Sequence, residues 1–245
     1  MKYTKDDILQ MLIAEYKYCI AFDLGVLKDK DINYESSILE WLDTFDLVDT
    51  IRLAKIYHRK FNLSRPLSEL ENLLEDQENT TISDFCEYIA ANAEREKIDP
   101  IKLLGRNCTS AAIFRALKNK LAAIGIDTKG LKPSSEINPF FLKYGGQLFS
   151  EVNRLAPGTW TEFDFKPNKM SRLGRNILFL GVLLLICRCC FGKFQWQLTL
   201  PIIIGIVLSY IGDKNQPERL SINGFKNFRQ LILAIERNLS EAGVC

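Results

Sequence analysis

Two apolar runs late in the chain, over 177–187 and 198–211, carry almost no polar face and are separated only by RCCFGKFQWQ. A core helix in a protein of this size normally keeps a polar stripe, so unbroken apolarity predicts a transmembrane hairpin over 172–212. Each run is shorter than the roughly 20 apolar residues that span a bilayer, and the expectation uses Arg175, Asn176, Phe191 and Trp196 to extend them. In that reading Ile177, Leu184, Pro201 and Ile204 anchor the chain, Arg188 snorkels to headgroups and Trp196 marks the interface. Pro201 falls in the first turn of its helix, where a missing N–H costs little.

Upstream, apolar positions recur at helical spacing. They predict helices over about 5–22, 46–61, 67–74 and 81–93, with a long loop between the first two. Val48, Ile51, Ala54 or the stem of Lys55, and Phe61 form one stripe, and Ile82, Phe85 and Ile89 another. Further helices are expected over about 111–124 and 139–155, the second ending at Ala156-Pro157-Gly158. The segment 220–239 reads as a last amphipathic helix with Phe225, Phe228, Leu231, Ile232 and Ile235 on one face. The fold class expected is therefore all-α. Its parts are an acidic helical domain over 1–95, the first part of a basic helical module over 96–165, the hairpin, and a C-terminal stretch over 213–245 that packs back on the second module.

Charge divides the chain at the same place. Residues 1–95 carry 11 Lys/Arg against 19 Asp/Glu, and the remainder carries 21 against 11, within an overall charge of +2. Basic residues beside an apolar hairpin suit anionic lipid headgroups, and no basic reading motif accompanies them, so nucleic acid is not an expected partner. Lys166, Lys169, Arg172 and Arg175 before the hairpin, and Lys214 and Arg219 after it, outnumber Arg188 and Lys193 between. That bias predicts both termini on the cytoplasmic side of a bacterial inner membrane, and MKYTKDDILQ lacks the apolar core of a signal peptide. The seven cysteines are odd in number and lack paired metal-ligand spacing, which suits a reducing compartment. Cys187, Cys189 and Cys190 are candidates for lipidation at the membrane edge, with small apolar filling as the simpler reading.

The strings DLVDTIRLAKIYHRKF and TTISDFCEYIAANA, in the order helix, long loop, helix, short helix, helix, resemble the acyl carrier proteins over residues 1–95. The family's second helix begins Asp-Ser-Leu, and its serine carries phosphopantetheine. Aligned through Asp46, Asp49 and Phe61, that position is Leu47, which offers no hydroxyl. The resemblance thus implies a carrier fold without its cofactor, or, in an alternative alignment, attachment at Thr44. Carrier domains present an acidic second helix to basic partners, whereas this one carries Arg52, Lys55, Arg59 and Lys60. The layout helix, loop, helix, final helix recurs in the second half and suggests a divergent second carrier-like module with the hairpin inserted after its second helix.

No site for chemistry emerges. The single histidine, His58, lies on a polar helix face, where a catalytic triad cannot be assembled around it, and no glycine-rich turn has phosphate-loop spacing. Asp6-Asp7, Asp43/Asp46 and Glu75-Asp76 read as solvated faces. Gly145-Gly146 reads as a packing point or helix irregularity. No metal or cofactor is expected. The function expected is a non-catalytic adaptor or regulator that tethers a protein partner at the membrane. The alternatives are a working acyl carrier serving a membrane enzyme, and a subunit of an oligomeric membrane complex with close contacts at Gly181, Gly205 and Ser209.

Overall fold

The computed structural model describes residues 1–22, 30–45, 49–103, 105–191, 199–214, 217 and 219–241. Among them the chain is mostly helical. It divides into two units, one of Met1–Phe163 with Ile222–Cys245 and one of Asp164–Ser221.

The first unit opens with α1 (Lys5–Ala21), α2 (Ile38–Thr44), α3 (Thr50–Phe61), α4 (Leu67–Glu75) and α5 (Ile82–Asn92). Three of these start at reciprocal caps, in which the side chain at the cap bonds the N–H three residues on and a carboxylate there returns the bond. The pairs are Thr4 with Asp7, Ser37 with Glu40 and Thr81 with Asp84. Each cap satisfies backbone donors that the first turn leaves open. The helices bury Ile8, Leu12, Ile38, Leu70, Phe85 and Ile89 in one core. Helix α2 lies in what the sequence reading leaves as loop. The second expected helix begins later than expected, at Thr50, where Asp49 accepts from the Arg52 N–H at 2.8 Å.

After an antiparallel pair of short strands, β1 (Ile101–Leu103) and β2 (Arg106–Cys108), the chain forms α6 (Thr109–Ala123) and α7 (Ile137–Leu155). Its last helix is α10 (Phe228–Glu241), whose core side is Phe228, Leu231, Ile232, Ile235 and Leu239. The expected helix over 220–239 therefore starts late. Its early part is strand and then an Asn223-Gly224 turn with φ of 51° and 67°, a left-handed pair that helix cannot use. The Asn223 side chain holds this turn by accepting from the Thr161 and Glu162 N–H groups and donating to the Thr159 carbonyl. Helix α7 bends at Tyr144 (φ −134°, ψ 27°), immediately before Gly145-Gly146.

One hydrogen-bond pattern occurs twice. In the first half, Ile38 N–H donates to Thr80 O, Ile82 to Ser36 O and Ser83 to Tyr34 O, joining the loop before α2 to the loop before α5. In the second half, Ile137 donates to Lys226 O, Phe228 to Ser135 O and Arg229 to Pro133 O, joining the loop before α7 to the loop before α10. The bridges Ser37 to Thr81 and Glu136 to Asn227 are equivalent as well. Both halves of this unit thus fasten a helix start to a later helix start by the same three bonds.

The two halves dock through α1 and α7. Tyr18 stacks on Phe149 with centroids 4.5 Å apart. Buried Asn153 donates to the Met11 carbonyl at 3.1 Å, and the Tyr3 hydroxyl donates to the Arg154 carbonyl at 2.9 Å. Burial pushes the Tyr3 phenol up to about 12.

The second unit contains α8 (Lys169–Phe191) and α9 (Thr199–Lys214), reached through β3 (Phe163–Lys166) and left through β4 (Arg219–Ile222), which pair with each other. Small residues let the two helices approach at backbone distance. A Cβ added at Gly174 would fall 2.3 Å from Ser209 N, one at Gly205 2.6 Å from Leu178 N, and one at Gly212 2.1 Å from Ser171 N. Gly181 faces Ile202 and Pro201 in the same antiparallel register. The contacts expected of Gly181, Gly205 and Ser209 are made here, inside one hairpin.

The membrane assignment is corrected by these helices. Among the described residues no helix is long and apolar enough to cross a membrane. Helix α9 has 16 residues, about 24 Å at 1.5 Å per residue, against a hydrocarbon core of about 30 Å. Helix α8 is longer, but its first two turns carry Lys169, Arg172 and Arg175. The transmembrane roles expected of Ile177, Leu184, Arg188, Trp196, Pro201 and Ile204, and the inner-membrane location that rested on them, are accordingly not supported. Ile177 and Leu184 lie on α8, and Pro201 and Ile204 on α9. Trp196 and the side chains of Arg188, Cys187, Cys189 and Cys190 lie outside the described residues.

Candidate functional site

Leu47, which the resemblance aligns with the attachment serine of the carrier family, and its neighbour Asp46 lie outside the described residues. Their flanks are described. Thr44 is buried, and its hydroxyl donates to the Glu40 carbonyl at 2.7 Å, so it faces its own helix and is not open to a modifying enzyme. Asp49 is occupied as the cap of α3. Helix α3 turns Leu53, Ala54, Tyr57 and Phe61 inward, and its outer face carries Arg52, Lys55 and Arg59 around exposed Ile51 and Ile56. That face is basic and partly apolar. His58 donates through its Nε2–H to the Arg65 carbonyl at 2.8 Å, which tethers the turn after α3.

Of the carboxylate pairs read as solvated, Asp7 is not. It caps α1 and pairs at 3.6 Å with Arg95, a side chain only 3% exposed. Arg95 also donates twice to the Leu155 carbonyl, at 2.9 and 3.2 Å, and lies over the Tyr3 ring. These groups are tied to one another, so they form a structural latch between the start of the chain and the end of α7.

A cavity of about 370 Å³ opens between α1, α2, α3 and α7. Trp41, Phe45, Leu53, Ile56, Tyr57 and Phe149 are the large apolar and aromatic residues of its wall, and Gly146 lies in the lining as well. At one side the Glu15 carboxylate accepts from the Tyr57 hydroxyl at 2.9 Å and pairs with the Lys60 ammonium. Burial, and then the Glu15 charge, hold the Tyr57 phenol well above its ordinary range. Burial likewise pushes the Cys19 thiol in the lining up to about 11, and that of Cys86 in the core up to about 12. A thiolate is the reactive form of cysteine, so neither is poised as a nucleophile at neutral pH. Sequence reading missed the cavity because α2, which brings Trp41 and Phe45, was not expected; the Ser37 to Glu40 cap spacing is the signal that marks it.

Among the described residues no group of three or more His, Cys, Asp or Glu could hold a metal ion. Comparison with family models, with curated proteins and with solved structures gave no match.

Proposed function

We propose that the chain is a non-catalytic adaptor, built on two carrier-like helical modules that bear no prosthetic group, which assembles with further copies of itself through the α8–α9 hairpin. The observation that carries this reading is the outer surface of that hairpin. Its inner seam is closed by glycine, yet Phe179 is 71% exposed and Tyr210 60%, with Leu183, Ile203, Ile206 and Leu200 also open. Leu180, Ile186 and Val207 of the same two helices are exposed as well, which is more large apolar surface than monomeric proteins usually show, whose patches rarely exceed a few hundred Å². About 800 Å² per partner suffices for a stable interface, and a self-complementary face of this kind closes as a two-fold dimer. Assembly would present two copies of the basic α3 face, whose charge suits an acidic protein partner.

The twofold use of the same three inter-loop hydrogen bonds supports a repeated module, and the absence of a hydroxyl at Leu47 supports loss of the prosthetic group. Two measurements test the reading. A photo-crosslinking amino acid in place of Phe179, activated in intact cells, is expected to join copies of the chain to each other. Crosslinks confined to lipid, or none at all, would overturn self-assembly, and Leu183→Glu should reduce the homodimer band at least about tenfold by burying an unpaired charge. Incubation of the whole chain with a broad-specificity phosphopantetheinyl transferase and coenzyme A is expected to leave its intact mass unchanged; a phosphopantetheine increment would make it a working carrier instead.

A further inference from the structure

We propose that the cavity between α1, α2, α3 and α7 is a binding site for a small, uncharged aromatic molecule of about two fused rings, such as a naphthol or an indole. Size sets the first limit. An apolar cavity of about 150 Å³ accepts one benzene ring, and ligand sites begin near 300 Å³, so about 370 Å³ has room for two rings.

The wall sets the second limit. Trp41, Phe45, Tyr57 and Phe149 bring aromatic rings to the wall from three helices, and aromatic pairs gain from offset and edge-to-face geometry beyond the area they bury. A flexible alkyl chain would bury similar area without that gain and would lose rotamer freedom on entry.

Charge sets the third limit. The cavity contains one carboxylate and one ammonium, and Glu15 and Lys60 already satisfy each other. The side chains of both are mostly buried, 23% and 15% exposed, so neither is free to leave its partner at low cost. An anionic ligand would sit beside Glu15 and a cationic one beside Lys60, each with a charge left uncompensated. The Tyr18 hydroxyl, the Ser150 hydroxyl and the Cys19 thiol remain as neutral hydrogen-bonding groups in the lining. They suit one hydroxyl or ring N–H on the ligand.

Gly146 gives a way to close the site without cutting into the core. It lies in α7, is exposed, and a Cβ there would meet only the Tyr18 hydroxyl, at 3.9 Å. A larger side chain therefore extends toward the lining, and replacing a helical glycine also favours the helix.

The test is calorimetric titration of the full chain with 2-naphthol, 2-naphthoate and 1-octanol. Saturable one-to-one binding of 2-naphthol is expected, with 2-naphthoate and octanol each at least about tenfold weaker, a difference of 1.4 kcal/mol. Gly146→Phe should weaken 2-naphthol at least tenfold and Gly146→Ala should not, with helical circular dichroism unchanged in both. A second readout needs no variant: 2-naphthol should slow alkylation of Cys19 in the native chain. No saturable binding, equal or tighter binding of 2-naphthoate, tighter binding of octanol, unchanged binding by folded Gly146→Phe, or Cys19 alkylation unaffected by saturating 2-naphthol would each overturn the proposal. The outcome is independent of hairpin self-assembly, which involves other helices.

Discussion

Replacing Arg95 with methionine is expected to destabilise the first unit by about 3–5 kcal/mol, the usual cost of removing one partner from a buried ion pair. The side chain of Arg95 is 3% exposed and that of Asp7 14%, so the carboxylate left behind stays largely shielded from water. Two further losses act in the same direction. The Leu155 carbonyl would lose both of its guanidinium donors, and the Tyr3 ring its cation. Methionine is a close match in length, which isolates the charge and the hydrogen bonds from the packing. An asparagine at position 7 offers an amide oxygen for the Thr4 donors and carries no charge, so the double variant Arg95→Met, Asp7→Asn should recover part of the loss. Urea unfolding followed by far-ultraviolet circular dichroism measures both. A loss below about 1 kcal/mol for the single variant would mean that the latch between the chain's start and the end of α7 is ornamental.

The second large effect is expected at Gly212. A leucine there would place its Cβ 2.1 Å from the Ser171 nitrogen and 2.5 Å from its Cα, both backbone atoms that no rotamer change can move. Overpacking against side chains costs roughly 1–3 kcal/mol, and a clash with backbone exceeds that because whole helices must part. The expected result is loss of hydrogen-exchange protection in α8 and α9, together with loss of crosslinking at position 179. Gly130 is the control. A Cβ there meets nothing within 4 Å, so Gly130→Ala should leave exchange unchanged. Equal behaviour of the two variants would mean that the glycine seam does not hold the hairpin.

Helix periodicity in the sequence located α1, α4, α5 and α7 within a few residues, because each has an apolar stripe long enough to repeat. Helix α2 has only seven residues, too few for a period, and its cap was the readable mark. The expected helix over 220–239 ran too far back because the apolar positions Leu220 and Ile222 also fit a strand, and the Asn223-Gly224 turn outweighs them. The hairpin shows a different limit. Apolar runs reveal that water is excluded somewhere, but not by what. The pattern of glycines was legible as close helix contact, while the length of α9 in three dimensions argues against a membrane crossing. The cavity depends on four segments distant in the chain, and no local pattern encodes such a convergence. The Arg95 latch was hidden for the same reason: its partners Asp7 and Leu155 are far from it in sequence.

The split of the second half of the first unit bears on the order in which the protein can be made. Helix α7 emerges from the ribosome before the hairpin, yet the bonds that fasten its first turn come from residues 226–229, after it. Phe228, Leu231 and Ile235, which complete the buried side of that module, arrive last of all. During synthesis the first module can close on its own caps and loop bonds, whereas the second must wait with an open core while two strongly apolar helices are added. The glycine seam gives those helices an immediate partner in each other, and the β3–β4 pairing brings the ends of the insertion together. A nascent chain stalled before residue 226 would therefore carry a finished first module and an unfinished second one, the state in which chaperones would meet it.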